Sequence, residues 1–168
     1  IFERAKEISG SKEPFFASGN LITTECKIEP LCHYCRWQSI DKFMDFGGKV
    51  PKDEFLEKGI EMEENEFDRI SVVSGWMGYS LPEYFYDYIR ELRENVDIDI
   101  YGLFGAVNEE TLSKLKEIGV DGYSCGIETP NKKIFNRTRP GDDFDSRIKT
   151  LRKAKSLGLK IDTSFSLG

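Results

Sequence analysis

No stretch of about 18 consecutive apolar residues occurs in this chain of 168, which excludes a spanning helix. The opening IFERAKEISG lacks the apolar segment of a secretory leader, so the expected location is the cytoplasm, with no membrane partner. Positive charge is also short. Its 24 Lys and Arg stand against 30 Asp and Glu, and the resulting net charge of -6 offers no broad basic footprint for nucleic acid. A small molecule or another protein is the expected partner. There is no low-complexity segment, no obvious linker and no short-period repeat. What is present is 39% hydrophobic and 32% charged content, the balance of one soluble globular unit that can bury roughly 70% of its unfolded surface.

β-branched runs alternate along the chain with helical periodicity. Residues 20–24 (NLITT) read as a strand, 51–64 as a helix opened by Pro51, and 69–74 (RISVVS) as a buried strand closed by Gly75. A helix over 81–95 sets Tyr84, Phe85, Tyr88, Ile89 and Leu92 along one face for core packing. Next come a strand over 97–104, a helix over 109–118 capped by Asn108 and ended by Gly119, and a strand over 121–128. After a proline-containing loop and a short helical turn, a helix over 144–157 is capped by Asp143 or Asp145 and stopped at Gly158. A strand over 160–165 closes the series. Such alternation predicts an α/β fold with a parallel sheet. It fits either an open doubly wound sheet or the N-terminal part of a (β/α) barrel. A complete eight-unit barrel takes ~250 residues, and this chain has room for about five strands. Its last strand has no helix after it, so the chain reads as a fragment of a longer protein.

Three of the four cysteines fall in one stretch, TTECKIEPLCHYCRWQ, spaced C-x5-C-x2-C as Cys26, Cys32 and Cys35. The spacing alone fits a zinc site, a redox dithiol or an iron-sulfur site. In a reducing compartment, ligands or reactive thiols are the better reading than a disulfide framework. A zinc site would need His33 or Cys125 as a fourth ligand. Thiol-disulfide exchange at Cys32 and Cys35 would leave Cys26 without a role. In either architecture, function sits at the C-terminal ends of the strands. The residues placed there are the three cysteines, then Ser74, Gly75 and Trp76, then Glu128 and Thr129. Three thiolates suit a four-iron cubane with one iron left open for a ligand. Taken alone, Glu128 reads as a loop cap, Arg147 as a solvated helix residue, and Arg137 and Arg139 as exposed loop residues.

The triplet after strand one, Tyr34 before its last cysteine and the run CRWQS resemble the radical S-adenosylmethionine (SAM) superfamily, near biotin synthase and the iron-hydrogenase maturases. RISVVSGW, VNEETLSKLKEIGVDGYSCGIET and DFDSRIKTLRKAKSLGLKIDTSFSLG are similar to successive segments of that family in the same order, so the resemblance covers most of the chain. It implies a TIM-type barrel, a [4Fe-4S] cluster on Cys26, Cys32 and Cys35, and S-adenosylmethionine on the open iron. It also implies a low-potential electron donor such as ferredoxin or flavodoxin, and a small-molecule substrate. By the same resemblance Tyr34 lies beside the adenine, and Glu128 binds the ribose hydroxyls or the SAM amino group. Arg147 pairs with the SAM carboxylate, and Ser74 and Gly75 meet the methionyl amine, with Trp76 ending the same strand. Ser166 stands where the family packs an apolar residue on adenine.

The family's usual triplet is C-x3-C-x2-C, and two additional residues stand between Cys26 and Cys32 here, Glu29 and Pro30 among them. That longer form resembles the HmdB-type radical SAM proteins of methanogens, associated with assembly of the iron-guanylylpyridinol cofactor of [Fe]-hydrogenase. Ser71, Tyr101 and Asp162 stand where biotin synthase carries further thiols, so biotin synthase itself is not expected. Hydrogenase maturase and methylornithine synthase types are the alternatives.

Overall fold

The computed structural model describes residues 15–35 and 48–166. Strands β1 (Ala17–Thr23), β2 (Arg69–Ser74), β3 (Asp99–Leu103), β4 (Gly122–Ser124) and β5 (Lys160–Asp162) form one parallel sheet in sequential order. Five helices lie between or after them: α1 (Lys52–Glu64), α2 (Glu83–Asn95), α3 (Glu109–Glu117), α4 (Lys132–Thr138) and α5 (Phe144–Ser156). The strand order decides between the two expected architectures. A doubly wound sheet needs a point at which the order reverses, and none occurs among the described residues. With right-handed crossovers, a sequential order puts the connecting helices on one face of the sheet, as in a (β/α) barrel.

Side-chain alternation separates the two faces. Ile70, Val72 and Ile100 are fully buried and pack with Phe85, Ile89, Leu92, Leu112 and Leu115 of the helices. Arg69, Ser71 and Val73 alternate to the other, inner face and are only partly buried. The helix ends follow local chemistry. Pro51 and Pro82 are N-caps, so α1 and α2 begin just after them. Asn108 accepts from Thr111 N at 2.8 Å, and Asp143, rather than Asp145, caps α5 by accepting from Ser146 N at 2.9 Å. Gly119 and Gly158 end α3 and α5 at φ of 93° and 80°, a conformation that disfavours any residue with a Cβ.

The strands differ from expectation at their ends. β1 starts at Ala17, because pairing of Ala17 with Arg69 and Gly19 with Ser71 overrides the weak strand preference of Ala and Gly. β3 is trimmed at both ends, and β5 closes at Asp162. β4 keeps three residues instead of eight, since the chain turns away through Gly126 toward Glu128, which holds a φ of 58°. Phe85 is fully buried and meets Phe104 edge-on, with ring centroids 5.4 Å apart. Phe85→Ala is expected to destabilise the fold by roughly 3–5 kcal/mol in urea titration. A loss below about 1 kcal/mol would contradict this packing.

Candidate functional site

Parallel strands place all their C-terminal ends on one rim, where a cavity of about 240 Å³ opens. The cysteine loop that follows β1 forms one wall. Lys27 N donates to Trp76 O at 2.7 Å, and His33 N donates to Thr138 O at 2.8 Å, so the loop is tied to the end of β2 and the end of α4. Gly75 makes the first approach possible: a Cβ there would lie 2.2 Å from Glu25 O and 2.6 Å from Cys26 Cβ. Gly141 makes the second possible, since its Cβ would lie 2.3 Å from Pro30 O and 2.6 Å from Glu29 O. Glu29 and Pro30, which lengthen the first cysteine gap, therefore seat against the loop between α4 and α5. Cys26 is half-buried, Cys32 buried and Cys35 exposed, and all three line the cavity.

The opposite wall is charged. Arg147 is buried on α5 and reaches Asp142 Oδ2 through both Nε and Nη2 at 2.8 Å. Its Nη1 donates to Gly126 O at 2.6 Å and lies 3.7 Å from Cys125 Sγ. Arg139 is also buried, 7% exposed, and bridges Asp142 Oδ2 at 2.8 Å and Glu128 Oε1 at 3.1 Å. Glu128 Oε2 in turn accepts from Ser166 Oγ at 3.0 Å. Two carboxylates thus neutralise two guanidiniums below the surface, the pairing that buried charges require. Glu128 holds its left-handed backbone because Glu128 N donates to Ser164 O and Ser166 N donates to Glu128 O, at 2.9 and 2.8 Å. A strained residue of this kind, held by its surroundings, is characteristic of functional sites.

The sequence-derived residues converge. Ser74, Gly75, Trp76, Glu128, Arg147 and Tyr34 line the same cavity as the cysteines. Trp76 is a brace between strand ends, its Nε1 donating to Ala106 O at 2.7 Å. Tyr34 is half exposed, yet desolvation around its hydroxyl pushes its pKa up to about 12. Ser166 is exposed and does not line the cavity; it acts on Glu128. Two local readings are corrected. Arg147 is not a solvated helix residue and Arg139 is not an exposed loop residue, because Asp142 draws both guanidiniums inward. Arg137 is exposed as expected. Arg139 and Asp142 escaped sequence reasoning, and only the dense charge of the run RTRPGDD hinted at them. Residues 36–39 of the run CRWQS lie outside the described residues.

Among the described residues, no three His, Cys, Asp or Glu side chains converge on a single-ion site, as a tetrahedral zinc would require. Cys125 is 1% exposed and sits against Arg147 beyond β4. A cubane takes each thiolate at a different iron, and all three cysteines line the one cavity. Burial raises the Cys32 pKa, with Arg139 opposing and Asp142, Cys35 and Cys26 adding to the rise.

Comparison with known proteins places the chain. Residues 20–168 match the Radical SAM superfamily. A biotin synthase of Sulfurihydrogenibium sp. is 30% identical over 142 residues, covering 82% of this chain and 42% of the relative. Methylornithine synthase superposes with a TM-score of 0.75 at 20% identity, covering 90% of this chain and 44% of that one. The FeFe-hydrogenase maturase HydG of Carboxydothermus hydrogenoformans gives 0.75 at 19% identity, with 96% and 39% coverage. These two likenesses show a common fold. The chain spans about two fifths of the length of the curated relatives it matches.

Asp142 carries the charged wall. Asp142→Asn leaves two buried arginines with one carboxylate between them, and is expected to destabilise the protein by roughly 3–5 kcal/mol in chemical denaturation. A change below about 1 kcal/mol would show that the arginines turn out to solvent instead.

Proposed function

The chain belongs to the radical SAM superfamily, and on that premise we propose that the rim cavity holds a [4Fe-4S] cluster on Cys26, Cys32 and Cys35 with S-adenosylmethionine beside it. The observation that carries this reading is the meeting of three cysteines from one loop with Glu128 and Arg147 around a single cavity. When bound, the cluster and SAM supply, on one-electron reduction, the 5′-deoxyadenosyl radical with which this family abstracts hydrogen from a substrate. The protein's part is to bind and orient. Arg147, fixed by Asp142, presents a planar guanidinium to the SAM carboxylate. Glu128, fixed by Arg139 and Ser166, takes the ribose hydroxyls or the amino group. Ser74 and Gly75 border the methionyl amine, Trp76 braces that border, and Tyr34 stays a neutral phenol beside the adenine.

The whole protein is then a radical SAM enzyme that acts on a small molecule and takes its electron from a low-potential donor of the ferredoxin or flavodoxin kind. The long gap between Cys26 and Cys32 supports a finer reading, biosynthesis of the [Fe]-hydrogenase iron-guanylylpyridinol cofactor in a methanogen. The cavity itself is equally compatible with a biotin synthase-like enzyme of the hydrogenase maturase or methylornithine synthase type.

The test uses the full-length gene product, reconstituted with iron and sulfide under anaerobic conditions. Wild type should be brown and cleave SAM under strong reduction, and Cys35→Ala should lose at least about 100-fold in cleavage, the scale of removing a group essential to the step. A colourless zinc-loaded protein, or equal cleavage in both, would overturn the cluster reading.

A further inference from the structure

Arg139 lines the rim cavity together with Cys26, Cys32 and Cys35, yet beyond fixing Glu128 it has no task in binding SAM. It follows α4 directly. Thr138 O, one residue before it, accepts from His33 N at 2.8 Å, and His33 follows Cys32. The chain segments that carry Arg139 and Cys32 are therefore in hydrogen-bond contact. The cavity they share is about 240 Å³, so small that none of its lining residues stands far from the others. Three partners fix where the guanidinium lies: the buried Phe135 ring, 5.3 Å away at its centroid, Glu128 Oε1 at 3.1 Å and Asp142 Oδ2 at 2.8 Å.

The charged wall is neutral in sum, with Arg139 and Arg147 facing Glu128 and Asp142. The two arginines are used differently. Arg147 gives Nε and Nη2 to Asp142 and Nη1 to Gly126 O. Arg139 gives one nitrogen to each carboxylate, so it is the only described cation paired with Glu128. Its Nε is sealed from solvent, and nothing bound in the cavity meets that edge. What Arg139 adds to the cavity is its charge. Because the side chain is buried, water screens that charge little, and its influence extends several ångströms.

From this we propose that Arg139 sets the reduction potential of the cluster, its fixed positive charge making the cluster easier to reduce. The proposal rests on the reading of the rim cavity as the cluster site and names what governs electron uptake there. Reduction adds one negative charge to a cluster, so a nearby cation stabilises the reduced form more than the oxidised one. Loss of Arg139 acts twice in the same direction: a positive charge leaves the cavity wall, and Glu128 keeps only the Ser166 hydroxyl as partner. Asp142 still has Arg147.

A redox titration followed by electron paramagnetic resonance, on the full-length, anaerobically reconstituted protein without SAM, tests this. Arg139→Met should lower the midpoint potential by at least about 59 mV, a tenfold fall in the ratio of reduced to oxidised cluster at a fixed applied potential. Arg139→Lys keeps the charge and should stay closer to wild type than to Arg139→Met. Glu128→Gln removes a negative charge from the same wall and should move the potential upward; it decides the matter should Arg139→Met fail to assemble a cluster. A purely structural role for Arg139 would change cluster content or stability and leave the potential of the assembled cluster where it was. An unchanged potential in Arg139→Met, an equal fall in Arg139→Lys, or no rise in Glu128→Gln would overturn the proposal. Wild-type protein without cluster absorbance would sink the cluster reading itself, a failure visible before any variant is measured.

Discussion

Asp142 is the interaction on which the site depends. One carboxylate oxygen receives Arg139 and Arg147 together, and through Arg139 the pairing extends to Glu128 and Ser166. Arg147 and Arg139 share that one carboxylate in burial, and Arg139 has Glu128 besides. The loop that carries Asp142 is also the surface on which the cysteine loop rests, with Glu29 and Pro30 over Gly141 and His33 tied to Thr138. The cysteine wall and the charged wall are thus joined through a few residues between α4 and α5. The lengthened cysteine gap gains a physical meaning from this: its additional residues provide the contact that sets the two walls at a fixed distance.

The two faces of the sheet have different tasks. The outer face is apolar and supplies the stability, with Ile70, Val72 and Ile100 locked against α2 and α3. The inner face gives up apolar contact for Arg69, Ser71, Tyr101 and Asp162, residues that a purely structural core would not place there. Stability is therefore concentrated on one side and chemistry on the other.

Much of this was legible in the sequence, for reasons that can be named. RISVVS reads as a strand because the β-branched Ile70, Val72 and Val73 gather in six residues closed by Gly75, and Asn108 and Asp143 read as caps because their side chains can replace missing intrahelical acceptors. The cysteine spacing and the segment order pointed to the family on their own. The strand order was not legible, since barrels and doubly wound sheets share the same alternation of elements. Nor was the burial of Arg139. A charged residue beside proline reads as exposed until the position of Asp142 is known, and that position is fixed by tertiary contacts. The early turn at Glu128 has the same origin, because its left-handed backbone is sustained by Ser164 and Ser166, far along the chain.

The central claim is that three cysteines hold a cluster whose remaining iron accepts SAM. Electron paramagnetic resonance of the full-length protein, reconstituted and reduced without oxygen, tests it most directly. A reduced [4Fe-4S] signal that changes shape when SAM is added, and that is lost in Cys32→Ser, is the predicted result. A signal indifferent to SAM, or a protein that binds zinc in place of iron with no signal at all, would contradict it.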